Sequence, residues 1–307
     1  MTDVHITTRQ AFRRTDDYTP GTPKVQLVTE PLPLPLTPSS VLIKVHAVSL
    51  NYRDANIANG GNPWPVVPHG ILCNDAAGEV IAVGENVKSL APGDRVAPIT
   101  DTENITGREA SRSWLAADED GVLADYLVFD ESKLCKLPSY LDWVGASIIP
   151  CAGVTAWTAL KDMTIGQSVL IQGTGGVSMF ALKLARAAGL KVILSSSSEG
   201  KLQKMREQFP SPPLLTVNYA QNSEWHEEVL KLTDGAGVDL VIEVGGCQSG
   251  VNAGSKHDMD DLCSALTATQ IRFDDIIDSV EPFEKADEAI EYIWQGRQIG
   301  KLVLRLE

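Results

Sequence analysis

The chain has 307 residues, 43% of them hydrophobic and 21% charged, and carries a formal net charge of −14. That length suits two domains of ordinary size, and the apolar share is enough to fill their cores. So acidic a molecule excludes nucleic acid and an anionic membrane surface as partners, and any anionic ligand must be held by local features.

The five cysteines, Cys73, Cys135, Cys151, Cys247 and Cys263, are odd in number, widely spaced and form no CxxC. They read as reduced thiols rather than a disulfide framework. Residues 1–14 contain no apolar stretch of signal-peptide type, and no apolar run approaches a membrane span. The expectation is a cytoplasmic protein with a small-molecule substrate.

The first part of the chain is β-rich. Val25 to Val28 reads as a strand, and Val41 to Val48 as a better one, with Val41, Ile43, Val45 and Ala47 on one face. Between them, the proline-rich residues 31–38 are an extended connector that cannot pair as a central strand. Residues 76–97 are short apolar runs punctuated by Gly78, Gly84 and Gly93, the pattern of a compact barrel-like unit with hairpins. Residues 100–121 are polar and predict a long surface loop, after which Val122 to Phe129 resumes as a strand.

Helical patterns begin at Trp143 and again near Thr155. Then comes the segment with the strongest signal. Val169-Leu170-Ile171 is a short strand that stops at Gln172-Gly173. Thr174-Gly175-Gly176 follows, and Val177, Phe180, Ala181, Leu184, Ala185 and Ala188 then mark one buried helix face ending at Gly189. A second strand, Val192 to Leu194, completes the opening unit of a dinucleotide-binding fold. Gly173 permits the tight turn, and Gly175 lets backbone approach a pyrophosphate. Free N–H groups at Gly176 and Val177 then hold the anion at the helix start. Where the G-x-G-x-x-G pattern has its third glycine, this chain has Ser178.

Further on, strands are expected at 214–217 and 238–244 and a helix at 224–232. A last helix carries Phe283, Ala286, Ala289, Ile290 and Ile293 on one face, and a terminal strand runs from Lys301 to Leu306.

The cofactor's identity is read about 20 residues beyond the turn, where an NAD site places an acid on the ribose hydroxyl. This chain has Ser195-Ser196-Ser197-Ser198 there, with Lys201 after it, and Glu199 lies past the strand end. Hydroxyls and an ammonium suit a 2′-phosphate, so Ser196, Ser197 and Lys201 predict NADPH over NADH.

Six stretches carry a resemblance: VSLNYRDANIANGG, NDAAGEVIAVGENVKSLAPGDRV, PCAGVTAWTAL, VLIQGTGGVSMFALKLA, VNYA and EAIEYIWQGRQIGKLVL. In this order the chain resembles the medium-chain dehydrogenase/reductase superfamily, in its zinc-independent, quinone oxidoreductase-like (zinc-type alcohol dehydrogenase-like) branch. The resemblance implies an α/β fold. A GroES-like catalytic domain, residues 1–145 and 274–307, would be split by a Rossmann NADP-binding domain, residues 146–273. It adds Tyr219 to the 2′-phosphate site, places Thr155, Asn51 and Lys301 near the nicotinamide or its edge, and implies a homodimer.

Zinc-dependent relatives use a Cys, a His and a Cys. The positions corresponding to these in this chain are Asn51, Asn74 and Cys151, and residues 98–134 contain no cysteine for a structural zinc. No zinc is therefore expected. Without a metal, an alkene conjugated to a carbonyl (an enone or enoyl group) or a quinone is the expected substrate, reduced by hydride transfer. A carbonyl/alcohol oxidoreductase and a non-catalytic NADPH-binding protein are the competing readings. Tyr52 is the candidate proton donor beside Asn51, with solvent as the alternative, and Trp64 is expected to line the substrate pocket.

After Gly250 the family pattern continues with a further strand–helix–strand unit, roughly 30–40 residues, that is missing here. Either the sequence as read lacks that segment or the protein is shortened. A shortened sheet would expose an apolar central strand, which favours the first.

Overall fold

The computed structural model describes residues 6–244 and 253–306. The break after Gly250 therefore lies outside the described residues.

The N-terminal part is built on strands β1 (Thr8–Arg14), β2 (Val25–Pro31) and β3 (Ser40–Leu50), a short helix α1 (Tyr52–Ala58), and strands β4 (Asp75–Val83), β5 (Arg95–Pro98), β6 (Tyr126–Asp130) and β7 (Leu134–Lys136). Helices α2 (Trp143–Ser147) and α3 (Val154–Leu160) lead out of it, separated by a wide π-type turn, Ile149–Gly153. Next come β8 (Ser168–Gln172), α4 (Gly176–Ala187), β9 (Lys191–Ser196), α5 (Glu199–Gln208), β10 (Leu215–Asn218), α6 (Trp225–Leu232) and β11 (Leu240–Ile242). The chain ends with α7 (Lys256–Thr269), β12 (Ile277–Pro282), α8 (Ala286–Trp294) and β13 (Lys301–Arg305).

These elements make a GroES-like barrel unit and a Rossmann-like unit. In the first, the strand order is β12-β13-β3-β4-β5-β7, with β6 also paired to β3. The C-terminal β12 and β13 thus complete the sheet begun by the N-terminal half. In the second, four parallel strands run in the order β10-β9-β8-β11. The order reverses at β8, so the crevice beyond the C-terminal ends of β8 and β11 is the place where such sheets take a ligand. Among the described residues β11 is an edge strand, and Val241 is 48% exposed.

Two local outcomes differ from the expectation. A bulge in β3, where pairing to β4 shifts between Val45 and Ala47, breaks the strict alternation. Val41, Ile43 and Val45 face the barrel core, whereas Ala47 joins the cluster formed with α2, α3 and α4. Nor is the segment 100–121 a plain surface loop. Thr100, Asp101 and Thr102 are buried, and Asp101 accepts the Ser113 N–H (3.0 Å) and pairs with Arg112 (3.2 Å). A carboxylate and a guanidinium tie this lobe together.

Ala77, Ala97 and Val303 of the barrel sheet belong to the same buried cluster as Phe180, Leu262 and Ile171 of the nucleotide unit. Small residues on the sheet side let the helices approach closely. One continuous core therefore fixes the two units and the cleft between them.

Candidate functional site

The site is assembled where the glycine-rich turn meets β13. Gly173 adopts φ +81°, a conformation that costs glycine least, and its N–H donates to Ser195 O over 2.7 Å. Gly175 is the N-cap of α4, and a Cβ there would have nothing within 4 Å: the turn opens onto free space. Gly176 is the opposite case, since a Cβ would lie 2.4 Å from Lys301 Cδ. Ser178, at the third-glycine position, is fully buried and donates its hydroxyl to Gln172 O (2.8 Å). The substitution thus adds a hydrogen bond inside the turn rather than a clash. Val177 is half-buried in the first turn of α4, and the first turn of a twelve-residue helix is a ready anion site.

The serine run extends this site along the C-terminal ends of β9 and β10. A cavity of about 320 Å³ is lined by Gly173, Ser195, Tyr219, Glu243 and Val244, among others. Ser196 is buried and its Oγ accepts the Ser198 N–H, whereas Ser197 is exposed. Tyr219 sits on a turn fixed by Asn218, whose Oδ1 takes the N–H groups of Ala220 and Gln221. Glu199 is paired with Arg206 and accepts from Asn218 Nδ2 (3.1 Å), and these contacts hold its carboxyl below the usual range. Lys201 reaches away from the cavity and donates to the carbonyls of Gly296 (3.2 Å) and Gln298 (3.1 Å). An open cradle at Gly175, a helix N-terminus and hydroxyl-lined strand ends fit a dinucleotide.

Lys301 joins this turn to the barrel. Gly300 N–H donates to Thr174 O (2.9 Å), so β13 starts as a strand-like extension of the turn. The Lys301 stem then crosses Gly176, and its ammonium donates to Asn51 Oδ1 (2.6 Å) and Asp75 Oδ2 (3.3 Å). Lys301 is 2% exposed and Asp75 is fully buried, so each needs the other. Asn51 is the N-cap of α1. Its Nδ2 donates to Asn74 Oδ1 (3.0 Å) and Asp75 Oδ2 (3.1 Å), and its backbone N–H goes to Asp54 Oδ2 (2.7 Å). Burial pushes Asp54 up to about 6 and raises Asp75 as well; for Asp75 the nearby Lys301 ammonium works against burial.

The cluster can be tested for zinc. Asn51 spends its amide hydrogens on Asn74 and Asp75 and its oxygen on Lys301, while burial pushes the Cys151 thiol up to about 12. Zinc takes thiolate, imidazole or carboxylate, so the engaged amides at Asn51 and Asn74 do not fit it.

The remaining expected residues fall around this cluster. Thr155 is half-buried at the start of α3, just past the turn that carries Cys151. Tyr52 is 57% exposed and its ring stacks on Trp294 at a centroid distance of 6.0 Å. Trp64 is exposed on the loop between α1 and β4. The sequence reading missed Asp75 and Arg53. The signal for Asp75 was an acid opening an otherwise apolar strand, Asp75-Ala76-Ala77-Gly78. Arg53 is half-buried on α1 and donates from Nη1 to Leu115 O (3.0 Å).

Known proteins share this arrangement. The model described as the alcohol dehydrogenase GroES-like domain matches residues 37–139, and that described as zinc-binding dehydrogenase matches residues 176–259. A zinc-type alcohol dehydrogenase-like protein of Schizosaccharomyces pombe is 32% identical over 328 aligned positions, covering 90% of this chain and 93% of that protein. An alignment longer than the 307 residues here includes positions that this chain lacks. An acryloyl-coenzyme A reductase of Metallosphaera sedula is 32% identical over 58% of this chain and 56% of its own length. A solved structure named as an alcohol dehydrogenase from Sinorhizobium meliloti 1021 superposes with a TM-score of 0.85 at 28% identity, covering 98% of this chain and 99% of that one. The chain is an oxidoreductase that belongs to the medium-chain dehydrogenase/reductase superfamily, in its zinc-type alcohol dehydrogenase-like branch.

Proposed function

We propose that this enzyme is a zinc-independent, NADPH-dependent reductase of activated C=C bonds (enones and enoyl groups) or quinones. The observation that carries this reading is the contact set of Asn51. Its hydrogen bonds to Asn74, Asp75 and Lys301 fill the positions where a metal centre would need free ligands. An activated double bond needs no Lewis acid on an alcohol oxygen, and a relative of similar identity is named as an acryloyl-coenzyme A reductase.

Bound NADPH supplies the hydride. Gly173 turns the chain and Gly175 leaves the approach open, and the backbone N–H groups of Gly176 and Val177 would hold the pyrophosphate. Ser196, Ser197 and Tyr219 receive the 2′-phosphate, together with Lys201, which exchanges the Gly296 and Gln298 carbonyls for it. Glu199, the one acid close by in sequence, is offset by Arg206, which removes its repulsion toward that phosphate. Thr155, Asn51 and Lys301 set the nicotinamide end, and Trp64 borders the substrate. Tyr52, exposed beside Asn51, is the side chain available to return a proton, with water as the alternative.

The test is NADPH oxidation by chelator-washed protein against enones, enoyl thioesters, quinones and simple ketones. Turnover of conjugated substrates without added metal is the expected result. Turnover confined to ketones or alcohols would replace the reading with a carbonyl/alcohol oxidoreductase, which the likeness to the Sinorhizobium structure favours. Tight NADPH binding with no turnover of any substrate would leave a non-catalytic cofactor-binding protein.

A further inference from the structure

Behind the glycine-rich turn lies a second cavity, of about 180 Å³, between α4, α5 and the approach to β12. It shares no lining residue with the cofactor cavity described above. Its apolar walls include Met179 of α4, Met205 of α5, Ile276 and Ile299. Met179, Met205 and Ile276 are each no more than 2% exposed, so the floor of the cavity is part of the core. An apolar cavity of about 150 Å³ is enough to take benzene, so this one has room for a single ring or a short branched chain.

Four polar side chains also line it, and three of them are spent on the protein. Asp278 accepts the Ile299 N–H at Oδ1 (2.8 Å) and the Tyr292 hydroxyl at Oδ2 (3.1 Å). Asp275 pairs with the Lys183 ammonium (2.6 Å), and Gln208 gives an amide hydrogen to Asp275 O. Lys204 is different. It stands exposed at the lip, one turn after Lys201 on α5, and makes no hydrogen bond or ion pair among the described residues. An apolar floor under one uncommitted ammonium is complementary to an apolar anion. The walls also touch the turn from behind. Met179 N–H donates to Gly175 O (2.9 Å), and Ile299 precedes Gly300, whose N–H donates to Thr174 O.

We propose that this cavity is a second small-molecule site, which takes a compact apolar carboxylate. The hydrocarbon body lies against Met179, Met205 and Ile276, and the carboxylate accepts from the Lys204 ammonium. Burial of the body supplies the attraction, and the ammonium selects the charge. Asp278 keeps its own charge between two neutral donors, which makes an ammonium ligand the rival occupant. The site does not depend on the reductase reading, since none of its residues is assigned to NADPH or to the substrate.

The test uses the full chain and three probes with one body: para-fluorobenzoate, para-fluorobenzyl alcohol and para-fluorobenzylamine. Fluorine NMR titration gives each affinity. The benzoate should bind at a single site with a Kd of about 1 mM or tighter. The alcohol and the amine should bind about fivefold or more weakly, the size of one ion pair at a half-open site. Lys204→Met should lower benzoate affinity to about that of the alcohol and leave the alcohol's unchanged, whereas Lys204→Arg should retain the benzoate. The side chain is exposed, so both variants should keep the wild-type fold. In protein labelled at its methionine methyl groups, the Met179 and Met205 signals should shift as benzoate is added, with or without saturating NADPH. No saturable benzoate binding, or less than about a twofold difference between wild type and Lys204→Met, overturns the proposal. So does a preference for the amine, Met179 and Met205 signals that stay in place, or displacement of the benzoate by NADPH.

Discussion

The Lys301 ammonium lies 2.6 Å from Asn51 Oδ1, and this contact ties the last strand of the chain to the N-cap of α1. The same ammonium faces Asp75, and both partners are buried. Replacing Lys301 by Met should cost about 3–5 kcal/mol, the usual result of leaving a buried charge unpaired. Urea unfolding measures this. The double variant Lys301→Met, Asp75→Asn should recover much of the loss, and simple additivity of the two changes would show that the pair is not coupled.

Gly176→Ala tests the same contact from the other side. The new methyl would meet Lys301 Cδ at 2.4 Å, in the middle of a side chain held at its far end by Asn51 and Asp75. The lysine cannot swing away without breaking those bonds. The expected cost is about 1–3 kcal/mol in stability, the range for overpacking a filled site. NADPH affinity should fall about tenfold or more, as 1.4 kcal/mol of strain in the turn suffices for that. Gly175→Ala, which meets nothing in the free protein, should leave stability within about 0.5 kcal/mol and weaken only cofactor binding.

Asp54 supplies a pH test. Burial raises it from 3.8 to about 6. A group raised on folding contributes stability below its unfolded value and loses that contribution as pH climbs through the folded one. The displacement is worth about 3 kcal/mol. Asp54→Asn keeps an oxygen for the Asn51 N–H but has no proton to lose. The variant should therefore gain on wild type as pH rises from about 4 to 7. A stability difference that stays flat across that range, measured by denaturant titration, would show that Asp54 is not raised.

Lys201→Ala should weaken NADPH by about 10- to 100-fold and spare NADH, the effect of losing one charged hydrogen bond to the 2′-phosphate. Fluorescence titration with both cofactors decides this. Equal loss of the two would assign Lys201 to the Gly296 and Gln298 carbonyls instead.

Much of this architecture is legible in the sequence, and the reasons are local. Val169 to Leu194 announces itself because strand period, glycine turn and helix period follow one another without interruption. Helix α7 was missed although Ser255 and Asp258 form a capping box ahead of Met259, Leu262, Cys263 and Leu266. Strand β12 is hidden because Ile277 to Pro282 alternates poorly and pairs along only one edge. The Asn51–Asp75–Lys301 cluster was beyond reach for a different reason. Its members are 24 and 226 residues apart, and only barrel closure by β13 brings them together.

That closure also decides what counts as the nucleotide-binding half. The ceiling of its turn is Lys301, the strand beside it begins at Gly300, and both come from the far end of the chain. Exchanging this half between relatives, or expressing it alone, would leave Gly176 facing open solvent and Thr174 O without its donor. A chimera intended to change cofactor preference must therefore carry its own terminal strand, because the turn and that strand are one inherited part.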